Sequence, residues 1–152
     1  MTTTPIHHPS PADLAARSPA RKRAAARLAE MLAPAELAGA ERFRPLFDIA
    51  VRTSGMTAHT RLTALTLATY ANGRTGAMGR QPGLHGLATA TGLSAGQVVI
   101  ALRVLEQRGW VKRTGPMPYE TALLRPVIPN HSIDRARDGY YRPATTRETT
   151  DA

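Results

Sequence analysis

Phe43, Leu46, Phe47 and Ala50 stand at i, i+3, i+4 and i+7, the spacing of a helix that turns one face to a core. Pro45 marks the start of that helix. Two alanine-rich stretches precede it, each opened by a serine and a first-turn proline: Ser10-Pro11 before a short helix, and Ser18-Pro19 before Ala20 to Leu32. After Ser54-Gly55 a further helix is expected over roughly Thr57 to Ala71, with Leu62, Leu65, Leu67 and Tyr70 as its apolar content. Asn72-Gly73 ends it as a turn pair, and Thr75 to Met78 reads as a short strand. Leu84, Leu87 and Ala88 restart helical spacing and predict a helix over 83–91, followed by one over 95–108 that Gly109 closes. Trp110-Val111-Lys112-Arg113 and Tyr119 to Leu124 are β-prone runs, and the turn-rich stretch between them predicts a hairpin. Beyond Pro126 the polar, proline-containing text predicts a disordered tail.

The joint between the two central helices reads Gly92-Leu93-Ser94-Ala95-Gly96, which matches the G-x-S-x-G of a serine-hydrolase nucleophile elbow. That elbow needs a strand before the serine and a large sheet around it. Here a helix enters. The residues fit a plainer role, since Ser94 is followed three positions on by Gln97, the spacing of a capping box. Gly92 suits the left-handed residue that ends the helix before it. Glu106 or Glu120 and His131 follow Ser94 in serine, acid, base order, but His131 falls in the polar tail without apolar neighbours to hold it. The expectation is a protein without catalytic residues.

Charge changes the picture more than size does. The chain has 152 residues, 5% aromatics, no cysteine and a net charge of +9. Residues 57–126 hold Arg61, Arg74, Arg80, Arg103, Arg108, Lys112, Arg113 and Arg125 against Glu106 and Glu120, whereas residues 127–152 are neutral. An excess of that kind points to a polyanionic partner, nucleic acid ahead of a membrane surface. Arg21, Lys22, Arg23 and Arg27 form a further basic run, either laid along DNA or simply a solvated face. No apolar run approaches about 18 residues, and the N-terminus lacks the features of a secretion signal. With no cysteine and no metal-ligand spacing among the five histidines, no metal or cofactor is expected, and the expected location is the cytoplasm.

The stretches "LTALTLATYANGRTGAM" and "GLHGLATATGLSAGQVVIALRVLEQRGWVKRTG" resemble the winged helix-turn-helix domains of MarR- and GntR-type bacterial regulators. They are also similar to the winged helices of phage and plasmid replication proteins, which share the "Y-A-N-G…T-G" link. The resemblance covers about residues 57–126. It implies a mostly helical α+β fold in which the 95–108 helix enters the major groove of double-stranded DNA and the 110–125 hairpin is the wing. Carried over position by position, Ala95, Gly96, Gln97, Val99, Ile100 and Arg103 become groove-facing, and Thr91 and Ser94 contact phosphates. Lys112, Arg113 and Arg125 grip the backbone from the wing. Relatives place polar or basic residues where this chain has Val99 and Ile100, so that pair either meets thymine methyl groups or forms a protein-binding patch.

These readings divide the chain into a flexible N-terminus (1–17), a helical extension (18–56), the winged helix-turn-helix (57–126) and a disordered tail (127–152). The stripe of Phe43, Leu46, Phe47 and Ala50 is the candidate surface for a homodimer, with packing inside the same subunit nearly as well supported. The expected function is that of a transcriptional regulator. A replication or mobile-element accessory protein and a protein-interaction module on the same scaffold stand as alternatives.

Overall fold

A computed structural model of the chain describes residues 11–142. Among these residues the fold is mostly helical with one two-stranded antiparallel sheet, and they divide into two compact units, with the division between Met31 and Leu32. The first unit is built on α1 (Pro11–Leu32), which runs without a break and carries Pro19 inside it. The two helices expected here are one, and it begins inside the segment expected to be flexible. Alanines on both sides of Pro19 keep the helix going, because alanine has the lowest cost of entering a helix. Ser10, the expected first cap, lies outside the described residues.

In the second unit, α2 (Phe43–Arg52) buries Phe43, Leu46, Phe47, Ala50 and Val51. No side chain caps its start. Instead the amides of Phe43 and Arg44 donate to the carbonyls of Arg74 and Gly73 at 3.0 and 2.8 Å, which satisfies donors that a helix end leaves open. Pro45 therefore sits within the first turn rather than at its start. The Phe47 ring meets Trp110 edge-on with centroids 6.0 Å apart, and α2 packs on α3 (Ala58–Thr69) and on α6 (Asn130–Tyr141). The stripe offered as a dimer face is thus closed inside this chain's own core and is not available to a second copy.

The buried face of α3 is Thr60, Thr63, Ala64, Leu67 and Ala68, while Leu62 is exposed. Hydrophobicity alone misplaces this face. Small residues line it because α5 (Ala95–Gln107) packs closely there, and the fully buried Thr63 hydroxyl donates to the His59 carbonyl at 2.9 Å, so its burial leaves no unmet polar group. The expected strand at Thr75–Met78 is reduced to a single bridge between Ala71 and Met78. Gly76 in that loop has φ +72°, and a Cβ there would lie 2.8 Å from the Phe43 ring.

The hairpin pairs β1 (Val111–Thr114) with β2 (Leu123–Pro126). Its second strand starts later than the Tyr119 to Leu124 run suggests, because Tyr119 and Ala122 are buried in the connection instead of paired. Gln81 stands in for a further strand: its amide both donates to the Leu124 carbonyl and accepts from the Leu124 N–H, at 2.9 and 3.1 Å.

α6 is the largest departure from expectation, since it occupies the segment read as a disordered tail. It buries Ile133 and Ala136. Its approach to α2 depends on Gly139, where a Cβ would fall 2.8 Å from Ile49 Cγ2. Charge holds it as well. The Glu41 carboxylate, closed from solvent, accepts from Arg137 Nε and Nη2 at 2.8 and 3.1 Å, from the Ala38 amide at 2.8 Å and from the Tyr141 hydroxyl at 3.3 Å. The Arg137 hydrogen bonds pull the Glu41 carboxyl down to about 2, against the upward push of burial. Residues 143–152 lie outside the described residues. No single helix among the described residues is long and apolar enough to cross a membrane.

Candidate nucleic-acid interface

α4 (Gly83–Thr91) and α5 are joined by three residues, Gly92, Leu93 and Ser94, and their axes bend by 105° across that joint. The local chemistry makes the corner. Gly92 takes φ +71° at the end of α4, a left-handed conformation that suits a residue without Cβ. Ser94 then caps α5: its Oγ accepts from the Gln97 amide at 3.2 Å, and Gln97 Oε1 accepts from the Ser94 amide at 2.9 Å. Ser94 is preceded by a helix and a turn, so the setting of a nucleophile elbow is missing around it.

The two faces of α5 separate as the helical wheel predicts. Val98, Ala101, Leu102 and Leu105 are buried against the core, and Gly96, Ile100, Arg103 and Gln107 are exposed on the other side. Ala95 and Gln97 are exposed in its first turn. The expected apolar pair is divided, since Val99 packs against the core while Ile100 is 63% exposed. A single isoleucine is a smaller patch than the pair.

Several expected contact residues are already engaged. The Thr91 hydroxyl donates to the Leu87 carbonyl at 2.7 Å and lies 3.3 Å from the Leu93 amide, from which it accepts. Gln97 Oε1 already accepts from the Ser94 amide in the capping box, which leaves its second lone pair and its NH2 group for any pairing with adenine. Ser94 keeps its hydroxyl proton and stands exposed.

Strand alternation decides where the hairpin residues point. Lys112 and Arg125 are direct partners across the hairpin and both are exposed, whereas Arg113 pairs with the buried Leu124 on the other face. Arg113 Nε donates to Glu106 Oε1 at 3.1 Å, its Nη1 donates to the Met117 carbonyl at 3.0 Å, and its guanidinium lies 4.9 Å from the Tyr119 ring centroid. The Tyr119 hydroxyl donates to Glu106 Oε2 at 2.6 Å. Burial, reinforced by the Glu106 carboxylate, pushes the Tyr119 phenol up to about 12. Arg113 therefore ties α5 to the hairpin through Glu106 and the Met117 carbonyl. The Glu106 and Tyr119 ends of this tie went unforeseen, but the direction of Arg113 was readable, since neighbours on a strand point to opposite faces.

Arg103, Lys112 and Arg125 form no ion pair among the described residues. Like charges placed directly across a strand pair repel, and no ion pair among the described residues offsets the Lys112 and Arg125 pairing. An anion would relieve it. Between α5 and the hairpin connection runs an open groove of about 510 Å³, lined by Val99, Arg103, Glu106, Arg113 and Tyr119 among others.

Compared with family models, curated proteins and solved structures, the chain matches none. What can be said of its function comes from these side chains and their arrangement.

Proposed function

We propose that the chain is a winged-helix protein that binds double-stranded DNA, with α5 in the major groove and the β1–β2 hairpin beside it, and that it acts as a transcriptional regulator. The observation that carries this reading is the 105° corner between α4 and α5 across a three-residue turn, within the range of helix-turn-helix units. It leaves the outer face of α5 unpacked, and on the exposed face of the hairpin Lys112 and Arg125 form no ion pair among the described residues. Ala95, Gly96, Ile100 and Arg103 face the base edges, Ile100 suiting a thymine methyl group and Arg103 a guanine. Lys112, Arg125 and the Ser94 hydroxyl take phosphates. A replication accessory protein would use the same surface, and the difference lies in the sites bound.

The test is retention of fragmented genomic DNA from the source of the chain, sequenced at low and near-physiological salt, together with the salt dependence of affinity. Enrichment of a few sites at the higher salt is the expected result. Lys112→Ala and Arg125→Ala should each lower the slope of log affinity against log salt by about one. Arg113→Ala should leave that slope unchanged while loosening the hairpin. Absence of retention at both salts, or a slope that ignores Lys112 and Arg125, would overturn the reading and direct attention to Ile100 as part of a protein contact.

A further inference from the structure

Every residue of α1 from Ser18 to Met31 is exposed, including the apolar Leu28 and Met31 at 56% and 50%. This stretch therefore lacks the packed face from which helices in proteins draw most of their stability. Its charge is strongly unbalanced. Arg21, Lys22, Arg23 and Arg27 stand against Glu30, and none of these cations forms an ion pair among the described residues. Arg23 and Arg27 lie at i and i+4, where like charges repel. The helix from Arg21 to Arg27 rises by only about 9 Å, so the repulsion is concentrated and an anionic surface would relieve it.

The arrangement of side chains separates a nucleic acid from a lipid surface. A helix that lies in a membrane interface keeps bulky apolar residues on one face and its cations on the other. Between Ser18 and Arg27 the apolar residues are only Pro19 and alanines, and Leu28 follows Arg21 by two helical turns on the same face. Charge and bulk are not segregated. A second copy of α1 would bring like charges together. One strand of duplex DNA carries a phosphate about every 3.4 Å along its axis, so the basic stretch spans about three of them. We propose that α1 is a second, sequence-independent DNA contact, in which Arg21, Lys22, Arg23 and Arg27 lie along the phosphates of a duplex. The choice of DNA as the polyanion rests on the reading of α5 and the hairpin given above, and α1 adds to it a surface that reads no bases. Phosphate contacts carry no sequence information. α1 therefore raises affinity for every site alike and leaves the ratio between sites unchanged.

The test is binding of a random-sequence DNA duplex by the full chain, followed by fluorescence anisotropy over a series of salt concentrations. Three variants stand beside the parent: Arg21→Gln/Lys22→Gln/Arg23→Gln/Arg27→Gln, Arg21→Lys/Arg23→Lys/Arg27→Lys, and Lys112→Ala/Arg125→Ala. Glutamine and lysine enter helices about as readily as arginine and the α1 positions are exposed, so the fold is kept. The glutamine variant should lower the slope of log affinity against log salt by about three to four, and the lysine variant, which keeps the charge, should retain the parent slope. A parent slope in the glutamine variant, with a reduced one in the hairpin variant, would overturn the role of α1 and leave the DNA-binding reading standing. The opposite pattern would support α1 and overturn the role of the hairpin. A slope lost in the lysine variant would overturn the assignment to phosphates, and a parent that binds no duplex would overturn both readings. Phosphatidylserine vesicles form the last arm: if the glutamine variant loses vesicle binding while keeping its slope on the duplex, α1 is a membrane contact and the proposal fails.

Discussion

Glu41→Gln is the sharpest probe of how this chain holds its last helix. In the folded protein the Glu41 carboxyl titrates at about 2, against 4.5 for an ordinary glutamate. A gap of that size corresponds to about 3 kcal/mol of preference for the charged form. Arg137 is still about one-third open to water, so solvent screening reduces the value to about 2 to 3 kcal/mol. The sign follows from the direction of the shift. A carboxyl whose folded-state pKa is depressed contributes stability that is complete above its unfolded value and is lost as pH falls toward its folded value. The window is therefore pH 4.5 down to about 2. Glutamine keeps the shape but offers no charge, so the variant should be less stable at pH 7 by about 2 to 3 kcal/mol. The two proteins should converge near pH 2. Urea denaturation followed by far-ultraviolet circular dichroism at a series of pH values measures both curves, and hydrogen exchange shows whether α6 opens first. Equal stability at pH 7, or a difference that persists undiminished at pH 2, would refute the assignment of Arg137 as the group that holds Glu41 ionised.

Two further substitutions test the packing described above. Gly139→Ala gains about 1 kcal/mol of helix propensity but places a methyl 2.8 Å from Ile49 Cγ2, and overpacking of that kind costs about 1 to 3 kcal/mol. A net loss of up to about 2 kcal/mol is expected, with less than additive loss when Ile49→Ala makes room; a more stable Gly139→Ala protein would contradict the close approach of α6 to α2. Ser94→Ala removes the acceptor of the Gln97 amide and should lower stability by about 1 kcal/mol in urea, and loss of a measurable hydrolytic activity in that variant would revive the nucleophile reading.

The corner at the centre of the candidate interface was legible from the residues alone. Ser94 and Gln97 lie three positions apart and Gly92 directly before them, and both devices act over one helical turn, so spacing carries the information. The inward face of α5 was legible for the same reason, because Val98, Ala101, Leu102 and Leu105 repeat with the period of the helix. Where the reading failed, the decisive partner lay elsewhere in the chain. The face of α3 that buries Thr60 and Thr63 is set by the approach of α5, and the end of Arg113 by Glu106 on α5 and Tyr119 beyond the turn.

Local sequence determined where α2, α3, α4, α5 and the hairpin form, and that positive charge gathers on them, because propensity, capping and periodicity act between near neighbours. Only the tertiary structure decided that the phenylalanine stripe closes on its own chain, that Lys112 and Arg125 stand together without a counter-ion, and that α6 folds at all. The helix of residues 130–141 has little apolar surface of its own and is held by a carboxylate 96 residues away from Arg137. No spacing along the chain can announce a contact that folding alone brings together.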